Sequence, residues 1–255
     1  MTADPPTVPA ILDGWFALHD FRRFDRPAWN RLAKDGRTAA LSEAAEVLRS
    51  FEEVEDAPGG HSISYSVVGH KADLLMLHLR PEVGQLHELE RAFDSTVLAS
   101  YTTRPHSYLS VTEVSRHGAP EGAAENFESS PYVQARLYPD IPENHRYVCF
   151  YPMSKKRDGS DNWYSLDSAA RGELMRAHGR TGRKYAGKVS QIVSGSMGLD
   201  DWEWGVTLFS DDPLHFKQLV YEMRFDEVSA RFAEFGPFYV GRVLPPADLG
   251  RCLGE

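Results

Sequence analysis

One order of secondary-structure elements is written twice along these 255 residues, at a nearly constant offset. In the first half, Trp15 to Phe21 reads as a buried strand. Pro27 to Phe51 carries apolar residues at helical spacing and predicts one or two helices, interrupted near Gly36. Ser62-Ile63-Ser64-Tyr65-Ser66-Val67 alternates with period two, the mark of a half-buried strand. Gly69 to Asp73 breaks it as a turn, and Leu74 to Leu79 pairs back as a hairpin. Pro81 to Leu98 predicts a helix and Tyr108 to Val114 a closing strand. The second half repeats this: strand Tyr147 to Tyr151, helix Ser168 to His178 with Gly179 as its stop, strand Lys188 to Val193, turn Gly198 to Asp201, strand Trp202 to Phe209, helix Pro213 to Phe232, strand Phe238 to Val243. The hairpin glycines Gly69 and Gly198 lie 129 apart, the closing strands 130 and the opening strands 132. That constancy argues for an internal duplication of a βαββαβ unit, which is the ferredoxin-like order. The expected architecture is α+β: two ferredoxin-like βαββαβ repeats whose sheets pack face to face or curl into a shared barrel. The expected boundaries are a Pro-rich tail at 1–10, a first repeat at 11–115, a linker at 116–136, a second repeat at 137–245 and a tail at 246–255.

Composition removes several classes of function. A net charge of −9 disfavours nucleic acid. No apolar run approaches the ~20 residues of a membrane span. The first residues lack the basic and apolar regions of a secretory signal, and two cysteines build neither a disulfide framework nor a Cys-rich metal site. A cytoplasmic setting fits. A P-loop, Gly-X-Gly-X-X-Gly, His-Glu-X-X-His and Cys-X-X-Cys-His are all missing, which lowers nucleotide-dependent, protein-only zinc and covalent-haem chemistry.

The chemistry-bearing residues concentrate in the second half. Between 155 and 188 there are nine Lys or Arg against four acids, a local reversal that suits a polyanionic ligand, although charge alone reads more readily as a solvated basic face. On an extended segment Tyr151, Met153 and Lys155 share a face, which puts a phenol near an ammonium, an arrangement suited to proton or electron transfer. Pro152 reads instead as a strand end or edge, with a wet Tyr151. His178, at the expected C-terminus of its helix, reads as a capping imidazolium more readily than as a ligand in a protein-only metal site. A porphyrin iron, however, needs one axial histidine whose other nitrogen is held by a neighbour.

At Tyr151-Pro-Met-Ser-Lys-Lys-Arg, Asp161-Asn-Trp-Tyr164, Leu174-Met-Arg-Ala-His-Gly179, Tyr185-Ala-Gly-Lys-Val189, Asp201-Trp-Glu-Trp-Gly-Val-Thr-Leu-Phe209 and Val220-Tyr-Glu-Met-Arg-Phe-Asp-Glu-Val-Ser-Ala-Arg-Phe232 the chain resembles the coproheme decarboxylases, the haem-synthesis branch of the chlorite dismutase superfamily. The resemblance runs from about 11 to 243. It implies two ferredoxin-like repeats forming a dimeric α+β barrel-type subunit, with one porphyrin per subunit bound in the second repeat; the first repeat, which has no counterpart to the Met-Arg-Ala-His-Gly run, is expected to be empty. It implies His178 as the axial iron ligand, Tyr151 as the redox-active, radical-forming tyrosine, and Lys155 as its electrostatic support. Arg136, Tyr151, Pro152, Met153, Ser154, Lys155, Gln191 and Ser229 would contact the porphyrin.

The implied reaction is peroxide-dependent oxidative decarboxylation of two propionates of iron coproporphyrin III, coproheme, to vinyls. It passes through a three-propionate intermediate to haem b. The implied partners are hydrogen peroxide, copies of the chain in a homopentamer, and in passing the ferrochelatase that supplies coproheme. Gln191 stands where the chlorite-splitting branch has an arginine, which argues against oxygen production from chlorite. A chlorite dismutase or dye-decolourising type of peroxidase is the alternative enzyme. A non-catalytic haem carrier or sensor is the alternative outside enzymes. By the 132-residue offset His19 takes the place of Tyr151 and Arg23 that of Lys155, and His19 is expected to be structural or at a subunit contact.

Overall fold

A computed structural model describes residues 8, 10–115, 127–142 and 144–255. Most of the expected N-terminal tail, and residues 116–126 of the expected linker, lie outside them. In chain order the strands are β1 (Ile11–Phe24), β2 (His61–Val68), β3 (Leu74–Arg80), β4 (Thr102–Ser115), β5 (Tyr147–Lys155), β6 (Arg157–Asp158), β7 (Asp161–Asn162), β8 (Ser190–Gly195), β9 (Trp204–Ser210), β10 (Ala233–Phe235) and β11 (Tyr239–Val243). The helices are α1 (Arg26–Trp29), α2 (Lys34–Glu53), α3 (Val83–Asp94), α4 (Pro131–Leu137), α5 (Ser168–Arg183), α6 (Leu214–Met223) and α7 (Glu227–Phe232). No described helix is long and apolar enough to cross a membrane.

The chain divides into two compact units, one of Trp15–Val111 with Tyr239–Glu255, the other of Thr112–Phe238 with the segment up to Gly14. In the first unit the sheet order is β11-β2-β3-β1-β4. Its β2-β3-β1-β4 portion is the strand order of a ferredoxin-like unit, as the duplicated pattern predicts. Every residue of β3 is buried, His78 and Arg80 included, so the strand does not alternate between core and solvent. Trp29, Ala44, Leu48, Leu74, Phe93 and Leu98 form the core beneath the helices. His19 is buried in β1 opposite Leu77, its ring edge-on to Tyr108 at 6.3 Å. Arg23 donates to the carbonyl of Lys71 at 3.0 Å, which occupies its guanidinium with backbone.

In the second unit β10 pairs with β5, β5 with β9 and β9 with β8, all antiparallel. A core of Trp163, Val228 and Phe232, joined by Leu174, ties α5 and α7 together.

Four local expectations are corrected. The break in the first helical region falls at residues 30–33, not at Gly36. Gly36 sits in the first turn of α2, where a Cβ would come within 3.2 Å of the Leu32 side chain. Gly179 does not stop α5, which runs on to Arg183. The helix ends on a right-handed cap, Lys184, and Gly187, at φ +77°, lies in the turn beyond it. His178 therefore lies inside a helix, not at its end. Pro213 to Phe232 is two helices, because the Asp226 carboxylate accepts from the Ser229 N–H and starts a new one. Pro152 is inside β5, not at its end. Gly205 of β9 lies opposite, and the Pro152 carbonyl accepts from Gly236 N–H at 2.8 Å. A Cβ on Gly236 would come within 2.7 Å of the proline ring, so the close approach requires glycine.

Candidate functional site

Directly paired residues of antiparallel strands point to the same face. The register therefore sorts the second unit's sheet into rows. Cys149, Leu208 and Gln191 form one, Tyr151, Val206 and Val193 the next, Met153, Trp204 and Gly195 a third. β10 adds Phe235 opposite Met153 and Ala233 opposite Lys155. The expected Tyr151–Met153–Lys155 face exists, and it carries Gln191 as well. Pro152 and Ser154 alternate to the other face. Gln191 is exposed, while Val193, Met153 and Trp204 are half-buried, so this apolar face is only partly covered.

Tyr151 is 8% exposed. Its ring stacks on Phe238 at 4.5 Å between centroids and leans on Phe235 at 5.7 Å. Burial pushes the phenol well above its ordinary pKa, aided by Cys149, while Arg224 pulls the other way. At neutral pH the group is a protonated phenol, a donor of hydrogen rather than a phenolate.

Lys155 ends β5 and is also 8% exposed. Its ammonium lies over the Trp163 ring, 4.5 Å from the centroid, a cation–π contact inside a desolvated site. Burial lowers its pKa to about 8, and the negative charges of Asp226 and Glu203 oppose that fall. Among the described residues no carboxylate is within ion-pair distance of Nζ. A cleft of about 990 Å³ opens beside it, its walls including Arg157, Arg224, Trp202, Phe235 and Phe238.

His178 projects from α5 with 30% of its side chain exposed, and its Nδ1 is 2.7 Å from Asp226 Oδ2. The other oxygen of Asp226 accepts from the Ser229 N–H at 3.2 Å. One carboxylate thus fixes the imidazole and caps α7. With Nδ1 engaged, Nε2 is the nitrogen left to bind an external group. This is the carboxylate–histidine arrangement that orients metal ligands. Asp226 also acts electrostatically on Lys155, which links the histidine to the strand face. Ser229 is buried and enters through that cap.

Arg136 stands apart. It is exposed on α4, where it donates to the Tyr132 hydroxyl at 3.0 Å and lies 5.7 Å from the ring centroid. No described contact ties it to Tyr151, Lys155 or His178.

Four residues escaped the sequence reading: Asp226, Glu203, Trp163 and Arg224. Asp226 had a signal, an Asp three residues before Ser229, hidden by the assumption of one continuous helix. Glu203, Trp163 and Arg224 lay within the quoted segments without any pattern that marked them. Among the described residues no group of three or more His, Cys, Asp and Glu side chains is arranged to hold a metal ion.

Comparison with known proteins places the chain. The chlorite dismutase family model matches residues 29–244. A Haloquadratum walsbyi protein named as heme-binding is 49% identical over 96% of this chain and 47% of its own length. A Haloarcula marismortui protein of similar name is 48% identical over 98% of this chain and 38% of its own. The chain thus spans less than half the length of these two curated relatives. A structure described as a novel heme-binding protein from Thermus thermophilus superposes with a TM-score of 0.91 at 49% identity, covering 98% of this chain and 99% of that one. A mutant chlorite dismutase from Candidatus Nitrospira defluvii superposes at 0.75 and 19% identity, over 95% of both chains, and shares the fold. Matched over most of its length, with a half-covered strand face and a carboxylate-held histidine in its second unit, this chain belongs to the chlorite dismutase family.

Proposed function

We propose that the chain binds an iron porphyrin through His178 and decarboxylates two propionates of coproheme to give haem b. The residues fit the group. His178 offers Nε2 with Nδ1 held by Asp226, the Tyr151 face is apolar and partly open, and Lys155 offers a buried cation. The names of the 49%-identical relatives support a haem ligand.

The single observation that carries the decarboxylation reading is Lys155. A buried ammonium whose described contacts include a π face but no ion pair is prepared for an incoming anion. It lies on the same strand face as a protonated, buried tyrosine. A substrate carboxylate on Lys155 is thereby held on the same face as the Tyr151 phenol. Burial there excludes water that would compete for the carboxylate and solvate the charge.

When bound, the iron porphyrin draws oxidising equivalents from hydrogen peroxide. Each propionate loses CO2, one proton and two electrons, and peroxide takes up two electrons and two protons to leave two waters. Tyr151, oxidised to its radical, would take a hydrogen atom, one proton and one electron, from the propionate β-carbon, and the second electron would pass to the iron porphyrin as the bond to CO2 breaks. Lys155 holds the reacting carboxylate until CO2 departs. Gln191 presents a neutral amide on that face, without the cation of the chlorite-splitting branch. Arg136, exposed in this structure and bonded to Tyr132, would pair with a propionate. The homopentamer and the transient contact with a ferrochelatase belong to the same proposal.

The test is mass spectrometry of the porphyrin after hydrogen peroxide is added to the coproheme complex. Loss of two carboxyl groups in sequence is expected. Tyr151→Phe should bind coproheme and leave all four propionates intact. A bound porphyrin unchanged by peroxide in the parent protein refutes the enzyme and leaves a haem carrier. Full conversion by Tyr151→Phe refutes the radical role.

A further inference from the structure

Glu203 is a buried carboxylate that no step of the proposed reaction uses. It is 6% exposed, in the residue just before β9. It is bound to the end of β5 at three successive residues. Its N–H lies 3.1 Å from the Met153 carbonyl and 3.3 Å from Ser154 Oγ, and its carboxylate accepts the Lys155 N–H at 2.6 Å. The carboxylate also meets Arg157 Nη1 at 3.2 Å and faces the Tyr164 hydroxyl, whose pKa it helps to raise. A buried carboxylate costs several kcal/mol of desolvation unless such partners satisfy it. Here the partners are one backbone amide and one exposed guanidinium. The Lys155 ammonium is not among them.

We propose that Glu203 is the positioning residue for Lys155, fixing the end of β5 and keeping the ammonium charged while leaving it unpaired for a substrate carboxylate. A direct ion pair would neutralise the ammonium and block the substrate. A carboxylate bound to the same residue's backbone N–H supplies negative potential without competing for Nζ. The charged and titratable groups around Lys155 are Asp226 at the start of α7, Glu203, Arg157 and Tyr164, with Trp163 beneath it, and Lys156, Asp158, Asp201, Arg224 and Glu234 in the walls of the same cleft. Asp226 is the stronger of the two acids acting on Lys155. Its carboxylate is committed to His178 and to the helix cap. Glu203 is the acid that is independent of the histidine.

The inference gives the substrate-binding cation of the proposed decarboxylase its support, and so rests on that reading for its purpose. Its test does not. Lysine-labelled protein without porphyrin is titrated by NMR, and the Lys155 signal is assigned by its loss in Lys155→Met. Glu203→Gln keeps an acceptor for the Lys155 N–H and removes the charge. We expect a roughly fivefold loss of proton affinity at Lys155, for one charge removed near a partly screened site. Arg157→Ala removes a neighbouring cation and shifts the same titration the other way, by about twofold. Titration of Lys155 unmoved by Glu203→Gln, or moved in the same direction by both variants, overturns the proposal. If Glu203→Gln does not fold, the sign of the Arg157→Ala shift decides. In protein loaded with coproheme, Glu203→Gln should bind coproheme more weakly than the parent above pH 7 and equally at pH 6. A protein that binds no porphyrin at all sinks the functional reading and leaves the titration result standing.

Discussion

Replacing Asp226 separates what one carboxylate does for a helix from what it does for a histidine. Asp226→Ala removes the cap of α7, worth about 1 kcal/mol, and the bond to His178 at 2.7 Å. A charge-assisted hydrogen bond contributes roughly 1.5–3 kcal/mol. The His178 side chain is 30% exposed, so the low end, about 1.5 kcal/mol, applies. The expected total is about 2.5 kcal/mol. At about 2–4 °C per kcal/mol for a chain of this size, Tm falls by roughly 5–10 °C. Asp226→Asn retains an N-cap side chain and should recover about 1 kcal/mol of that loss. Thermal and urea unfolding followed by circular dichroism measure both. A double-mutant cycle with His178→Ala should return a coupling of about 1.5 kcal/mol. Haem titration adds a second readout. Loss of the group orienting a metal-binding histidine weakens metal affinity by about 10–100-fold. Asp226→Ala within about 0.5 kcal/mol of the parent, or a cycle with no coupling, refutes the double role.

Two pH predictions follow from buried bases. Lys155 has a folded pKa of about 8, below its ordinary 10.5, so between those values the unfolded chain binds more protons and stability rises with pH. Lys155→Met should remove that rise, seen as the difference between parent and variant in urea unfolding at pH 8 and pH 10. His19 and His78, each lowered to about 3 from 6.5 chiefly by burial, stay neutral when the unfolded chain takes up protons. Stability should therefore fall below pH 6.5 by up to about 1.4 kcal/mol per pH unit for each. His19→Gln and His78→Gln should each flatten the slope between pH 6 and pH 4.5, and unchanged slopes in both would refute neutral burial.

Much of the second unit's face was legible because strand geometry is local. Period-two alternation puts Tyr151, Met153 and Lys155 together wherever that strand lies. The hairpin turns are likewise local, at Gly69 with φ +102° and Gly198 with φ +82°, where other residues are strained. The duplicated order determined the β2-β3-β1-β4 sheet. Gln191 joined the Tyr151 face only through the β5–β9–β8 register, which no single strand contains.

What tertiary structure alone decided are the choices among distant partners. The sequence marks Gly179 as a stop, yet α5 continues through it to Arg183. Helix packing overrides a propensity of about 1 kcal/mol, and at Gly182 nearby an added Cβ would come within 3.3 Å of Met223 Cε. The closing strand Tyr239–Val243 was legible as a strand, but its pairing with β2, Val240 opposite Val68, lies more than 170 positions away. Asp226 finds His178 across 48 residues, and Glu203 finds the Lys155 N–H across 48. Residue types and periods determine which groups are available and which face they share. Only the folded chain decides which buried donor meets which acceptor, because a buried polar group takes whatever partner the packing brings within about 3 Å.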